Sequence, residues 1–283
     1  MIYIFVNSLS FKYVKDFFLE IEKYMECTLV EYDIIAEAIA FVKNNGIHNS
    51  TTIYCGFNLV RATNNNVVFQ LNFDQYLKCH RENYIVHKQN HKGFNIEAFS
   101  ENIPILKNHG HEHVFHLPYI YNVASYDNNT PVKAADICII GSNSERRRNI
   151  YNQLKNNYSV HFLFNEFDVV VKNDILKSCK LLINIHYSDS SIMFESIRCY
   201  PALFNRTIVL SEDSLIDDTI GINQCIILEK YENIIEKTVD ILTNYEQYFT
   251  RANEVFNANI ESYQAYQQSC CEKILSVCNQ GVL

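Results

Sequence analysis

Short apolar runs alternate with segments whose apolar residues recur at helical spacing. Ile2–Val6 predicts a strand, and Phe11–Tyr24 predicts a helix with Phe17, Phe18, Ile21 and Tyr24 on one side. Cys27–Tyr32 reads as a second strand. Ile34–Asn44 reads as a second helix carrying Ile35, Ala38, Ile39 and Val42. Ser50–Tyr54, closed by Cys55-Gly56, and Val67–Leu71 continue the strands, and Asp74–Asn83 is a charged helical stretch. Phe94–Lys107 predicts a turn and a short helix, and Val114–Leu117 a strand ended by Pro118.

The segment 121–135 combines Asn128, Asn129, Thr130 and Pro131, residues that favour turns and extended chain, and reads as a linker. The pattern then restarts. Strands are expected at Asp136–Ile140, Val160–Phe164, Leu181–Ile185 and Ile208–Leu210. Helices are expected at Glu145–Asn156, Lys172–Cys179 and Ile192–Leu203, with two long ones near Tyr231–Tyr245 and Phe256–Cys278. Strands alternating with helices of this length predict an α/β protein: two Rossmann-like domains with parallel sheets facing across a cleft. The expected boundaries are 1–125, 126–255 and a C-terminal helix over 256–283.

Composition narrows the function classes. With 283 residues, 48% hydrophobic and 20% charged, the chain has globular composition and enough length for a large core. A net charge of −8 argues against a duplex-nucleic-acid binder while leaving room for a local basic pocket for a small anion. Ten cysteines without C-x-x-C spacing, no signal peptide and no membrane-length apolar stretch lead us to expect a cytoplasmic protein with free thiols.

Three segments offer chemistry. In the first, the strand Asp136–Ile140 ends in Gly141-Ser142-Asn143-Ser144, and a helix opens with Glu145-Arg146-Arg147-Arg148. Backbone N–H groups at a helix start favour phosphate, and arginines in a first turn suit a clamped anion. The plainer alternative is a generic turn before an exposed basic helix. In the second, the strand Leu181–Ile185 leads through His186, Tyr187 and Asp189 to Glu195 and Arg198. Ligands of open α/β sheets bind beyond the carboxyl ends of strands, which groups Asn184, His186 and Glu195 with the Gly141 turn. Glu195 is expected in an early turn of its helix, either accepting two ribose hydroxyls or pairing with Arg198 three residues on. In the third, His109, His111, His113 and His116 invite a zinc site or form a polar loop, with the first three alternating along a strand.

These residues resemble a group of small GT-B-type glycosyltransferases of bacteria and large viruses. Asn72-Phe73-Asp74-Gln75 looks like the family's Asn-Leu-Glu-Gln. Phe99-Ser100-Glu101-Asn102-Ile103 resembles its tryptophan-aspartate-tyrosine-serine and asparagine-isoleucine stretch, here without Trp, and His116-Leu117-Pro118-Tyr119 its strand-Pro-Gly-Tyr connector, here without Gly. Asp136–Ile150 is similar to the phosphate-loop segment, and Lys177–Glu212 matches most fully. The resemblance implies an N-terminal acceptor domain, a C-terminal donor domain and a last helix crossing back to the first domain. It implies that Gly141, Ser142, Asn143 and Arg146 meet the diphosphate of a nucleotide-sugar donor, with Arg147 a further donor-binding candidate. Glu195 would hold the ribose, while Asn184, His186, Tyr187, Arg198 and Glu212 would complete the donor pocket. Neither metal nor cofactor is implied.

Many retaining members carry two glutamates eight positions apart; eight before Glu195 stands Tyr187. The stereochemistry is therefore open, with Asp74 and His186 as candidate catalytic groups. The expectation is a glycosyltransferase acting on a glycan or glycoconjugate acceptor. A non-catalytic nucleotide-sugar-binding protein, or another enzyme of this fold such as a nucleotide-sugar epimerase, stands as the alternative.

Overall fold

A computed structural model describes residues 2–45, 51–55, 68–72, 94–119, 132–164, 168–189, 193–217 and 219–279. They fall into two compact units, Met1–Ile120 with Ala265–Leu283, and Tyr121–Gln264. Asp74, its expected helix and most of the expected linker lie outside the described residues.

The first unit contains β1 (Ile2–Asn7), α1 (Ser8–Tyr24), β2 (Cys27–Tyr32), α2 (Ile35–Asn44), β3 (Thr51–Cys55), β4 (Val68–Asn72), β5 (Phe94–Glu97), α3 (Asn102–Asn108) and β6 (Val114–His116). Its strands form one sheet in the order β2-β1-β3-β4-β5-β6, parallel throughout. Ile4, Phe5 and Val6 are all buried, as a strand covered on both faces requires. From α1, Phe17, Phe18 and Ile21 enter the core, and Phe17 stacks on Tyr119 at 5.5 Å between ring centres. Tyr119 donates to Asp16 Oδ1 at 2.6 Å, and Gln267 donates to the Tyr119 carbonyl at 3.1 Å.

Two expectations in this unit are corrected. Phe94–Glu97 is a strand, where the sequence predicted a turn. Its pattern is disguised because Asn95 and Glu97 are buried polar residues; Asn102 Nδ2 donates to Glu97 Oε2 at 3.1 Å. The histidines also do not alternate on a strand. His109 caps the end of α3, residues 111–113 precede β6, and His116 lies within it. His111 faces Asn95, and His116 Nδ1 contacts the Tyr266 hydroxyl.

The second unit contains β7 (Ala135–Gly141), α4 (Glu145–Leu154), β8 (Val160–Phe164), α5 (Val169–Ser178), β9 (Cys179–Asn184), α6 (Ser196–Phe204), β10 (Ile208–Glu212), β11 (Ile226–Glu229), α7 (Ile234–Thr243) and α8 (Tyr245–Asn279). The helix α8 belongs to this unit up to Gln264 and to the first from Ala265. The parallel sheet runs β11-β10-β9-β7-β8. Ile137, Ile139, Leu181, Ile183, Ile208 and Leu210 form its core with Ile150 and Leu154 of α4 and Ile234 and Ile241 of α7.

Here the helix expected over Ile192–Leu203 starts at Ser196. Met193 instead bridges to Leu215, and Glu195 sits at the N-cap with φ −92° and ψ 73°, before the first helical turn. The helix α5 starts at Val169 because the Asp168 carboxylate accepts from the N–H groups of Val170 and Val171 at 2.8 and 3.2 Å. The short edge strand β11 had no counterpart in the sequence reading.

Strand order sets where this sheet can take a ligand. From β7 the chain passes to β8 on one side, and β9 pairs on the other. In open α/β sheets such a reversal marks the crevice in which a ligand would sit, here beyond the carboxyl ends of β7 and β9, at Gly141 and Asn184.

Candidate functional site

At the end of β7, Gly141 has φ +141°, a conformation open to glycine and strained for other residues. The chain turns through exposed Ser142 and Asn143 into α4, whose N-cap is Ser144. The Ser144 hydroxyl accepts from the Arg147 N–H at 3.3 Å. The other early amides of α4 give this end of the crevice a positive potential.

Successive helix residues point about 100° apart, so the three arginines diverge. Arg147 turns inward and is 1% exposed. Its Nε donates to the Ile185 carbonyl at 2.9 Å and its Nη1 to the Ser142 carbonyl at 2.6 Å, tying the end of β9 to the turn after β7. Arg198, from α6, reaches the same place and binds Asn184 Oδ1 and Glu195 Oε2 through Nη1. A methyl group on Gly141 would lie 2.8 Å from a guanidinium nitrogen of each arginine, so the glycine makes room for both. Arg148 is exposed and donates to Asn143 Oδ1 at 2.7 Å.

Glu195 supplies the counter-charge to this buried pair. Its Oε2 meets Arg198, and its Oε1 lies 3.7 Å from Arg147 Nη2. Burial by itself would raise this carboxyl; the guanidiniums of Arg198 and Arg147, with His186 nearby, outweigh it and hold the group below the usual carboxylate range. Asn184 completes the layer, donating to Ser211 Oγ at 3.0 Å.

Arg146 faces the crevice. Its guanidinium carbon lies 3.9 Å from the centre of the Tyr231 ring. Nη2 pairs with Glu212 Oε1 and Nη1 with Asp189 Oδ1, while the buried Nε finds no hydrogen-bond partner among the described residues. Glu212 accepts a second bond at Oε2 from the His186 N–H, at 3.0 Å. His186 Nε2 lies 3.2 Å from the Asp213 carbonyl oxygen and 3.1 Å from the Ser214 hydroxyl. Its Nδ1 is buried with no partner among the described residues.

The structure thus brings Gly141, Arg146, Arg147, Asn184, His186, Glu195, Arg198 and Glu212 together, with Tyr187 exposed beside them. Tyr231 was missed. It lies 85 residues from Arg146 in sequence, and no local pattern marks it as the ring under a guanidinium. Among the described residues no group of His, Cys, Asp and Glu is arranged to hold a metal ion.

No family model matches the sequence. Among curated proteins, "Uncharacterized protein R358" of Acanthamoeba polyphaga mimivirus is 39% identical over 57% of this chain and 56% of its own length. "Uncharacterized protein L140" of the same virus is 34% identical over 53% of this chain and 51% of its own length. The chain therefore spans about half the length of these relatives. Among solved structures, T4 phage BGT in complex with UDP and Mn2+ superposes with a TM-score of 0.57 at 11% identity, over 96% of this chain and 99% of that one. An S. aureus TarM variant in complex with Fondaparinux, alpha-GlcNAc-glycerol and UDP gives 0.57 at 15% identity, over 85% of this chain and 58% of that one. Both are GT-B glycosyltransferases, and the chain has a GT-B-like fold.

Proposed function

We propose that the chain is a glycosyltransferase that takes a sugar from a nucleotide-diphosphate-sugar donor bound in the second unit and passes it to a glycan or glycoconjugate acceptor. The observation that carries this reading is Arg146. It is a guanidinium in the first turn of α4, beside the Gly141 turn and at the point where strand order reverses, held by Glu212, Asp189 and the Tyr231 ring. Two solved structures of like fold are complexes with UDP, which agrees with a nucleotide at this edge.

The chemistry follows from charge. Breaking the bond between the sugar and the diphosphate leaves negative charge on the departing phosphate. Arg146 and the amides at the start of α4 are fixed before the reaction and stabilise that charge as it develops. On this reading Arg147 and Arg198 act one layer below. They hold the Ser142 and Ile185 carbonyls and Glu195 in place, and so set where the amides point. Glu195 borders the ribose, with its charge already shared between two guanidiniums. His186 borders the sugar. The donor is the substrate, and the reading calls for no resident cofactor.

A second reading, donor binding without transfer, is favoured by Tyr187 at the position where many retaining members carry a glutamate. Calorimetry with nucleoside diphosphates, followed by donor turnover with and without a mixed glycan acceptor pool, separates the two. Arg146→Ala is expected to weaken diphosphate binding by about 1.5–3 kcal/mol, the worth of a hydrogen bond to a charged group. An unchanged dissociation constant would remove Arg146 from the donor site. Binding without any turnover favours the second reading.

A further inference from the structure

Arg146 is held by two carboxylates of opposite character. Glu212 is built in: its side chain is 11% exposed, and its second oxygen is committed to the His186 N–H. Asp189 is 86% exposed and pairs with the other terminal nitrogen, Nη1. One guanidinium therefore faces two negative charges. A diphosphate approaching along the crevice meets a triad of net charge about −1 rather than a free cation.

The geometry points to Asp189 as a displaceable counter-ion that occupies the diphosphate position on Arg146 until the donor takes it. This rests on the donor site proposed above. The energies favour exchange. An exposed carboxylate adds little to an ion pair, whereas a phosphate oxygen takes a charge-assisted hydrogen bond from Nη1 and meets the amides at the start of α4 as well. Glu212 and the Tyr231 ring stay in place and keep the guanidinium oriented while Nη1 changes partner. Displacement also gives selectivity. A ligand must bring enough charge to outcompete a carboxylate that is always present at high local concentration, so a diphosphate is accepted and weakly charged or neutral sugars are refused.

Asp189→Asn tests this, because it keeps size and hydrogen-bonding capacity while removing the charge. Titration calorimetry of both proteins with UDP, GDP, ADP and inorganic pyrophosphate should show the variant binding the preferred nucleoside diphosphate about fivefold more tightly, the equivalent of about 1 kcal/mol. The gain should shrink as salt rises. Equal or weaker binding by the variant overturns the proposal, since Asp189 would then be indifferent or itself a ligand of the donor. Failure of the underlying donor reading looks different: pyrophosphate binds and is tightened by Asp189→Asn, while no nucleoside adds affinity over pyrophosphate. If none of the four probes binds either protein, both readings fall.

Discussion

Gly141 shows how a single residue determines the site. Its φ of +141° is reached freely only without a side chain, and the space a Cβ would need is held by Arg147 and Arg198 at 2.8 Å. Both arginines are buried and bound to backbone or to Glu195, so neither can swing aside into solvent. Gly141→Ala is therefore expected to cost more than the about 1–3 kcal/mol of backbone strain alone, with the added cost of displacing a buried ion pair. Urea denaturation checks this. A midpoint shift equivalent to less than about 1 kcal/mol would mean the arginines repack at little cost. The same reading explains why three adjacent arginines have three fates. Arg147 is a strut, Arg146 faces the crevice and Arg148 stays in water, because their helix positions are about 100° apart.

Among the elements, the sequence was informative where burial is uniform and silent where polar residues are buried or partners are distant. Strands β7 and β9 were legible from Ile137–Ile140 and Leu181–Ile185, runs covered on both faces. The strand β5 was not, because Asn95 and Glu97 occupy core positions and find partners 16 and 5 residues away. The late start of α6 was invisible too, since Met193 pairs with Leu215 instead of entering the helix. The Gly141 turn and the groups around Glu195 could be read as one neighbourhood from strand ends alone. The division of labour among the arginines could not, because it depends on the Ile185 carbonyl, 38 residues from Arg147. The junction of β7, β9 and α6 is tied by Glu195, whose carboxyl is depressed in the fold. In the window between its folded value and the ordinary carboxylate value, the unfolded chain binds more protons, so stability rises with pH there. The contribution is full above the ordinary value and is lost as pH falls through the depressed one. Denaturant midpoints from about pH 7 to about pH 3 should show wild type exceeding Glu195→Gln most at neutral pH and converging with it in acid. A difference that stays constant across that range would show that the carboxylate charge is not what ties the junction.

For the molecule as a whole, the last helix is divided between the two units. The residues of α8 up to Gln264 belong to the second unit, where Phe256 and Tyr263 pack on Phe204 and Tyr200. From Ala265 they belong to the first, where Gln267, Cys270, Cys271, Ile274 and Cys278 are buried and Gln267 donates to the Tyr119 carbonyl. The first unit, which opens the chain, is thus completed by residues from its far end. Each buried apolar side chain is worth about 1.5–3 kcal/mol, and a domain's whole margin is about 5–15 kcal/mol. Losing Cys270, Cys271, Ile274 and Cys278 together consumes much of that margin, and losing Gln267 leaves the Tyr119 carbonyl without its donor. A chain ending at Gln264 is therefore expected to lose hydrogen-exchange protection in β1 and α1 while keeping it in β7 and β9. The second unit should still bind a nucleoside diphosphate, because every residue placed around Gly141 and Arg146 belongs to that unit. Unchanged protection in β1 and α1 would show that the first unit folds without the end of α8. Lost protection in β7 and β9 would show that the two units unfold as one.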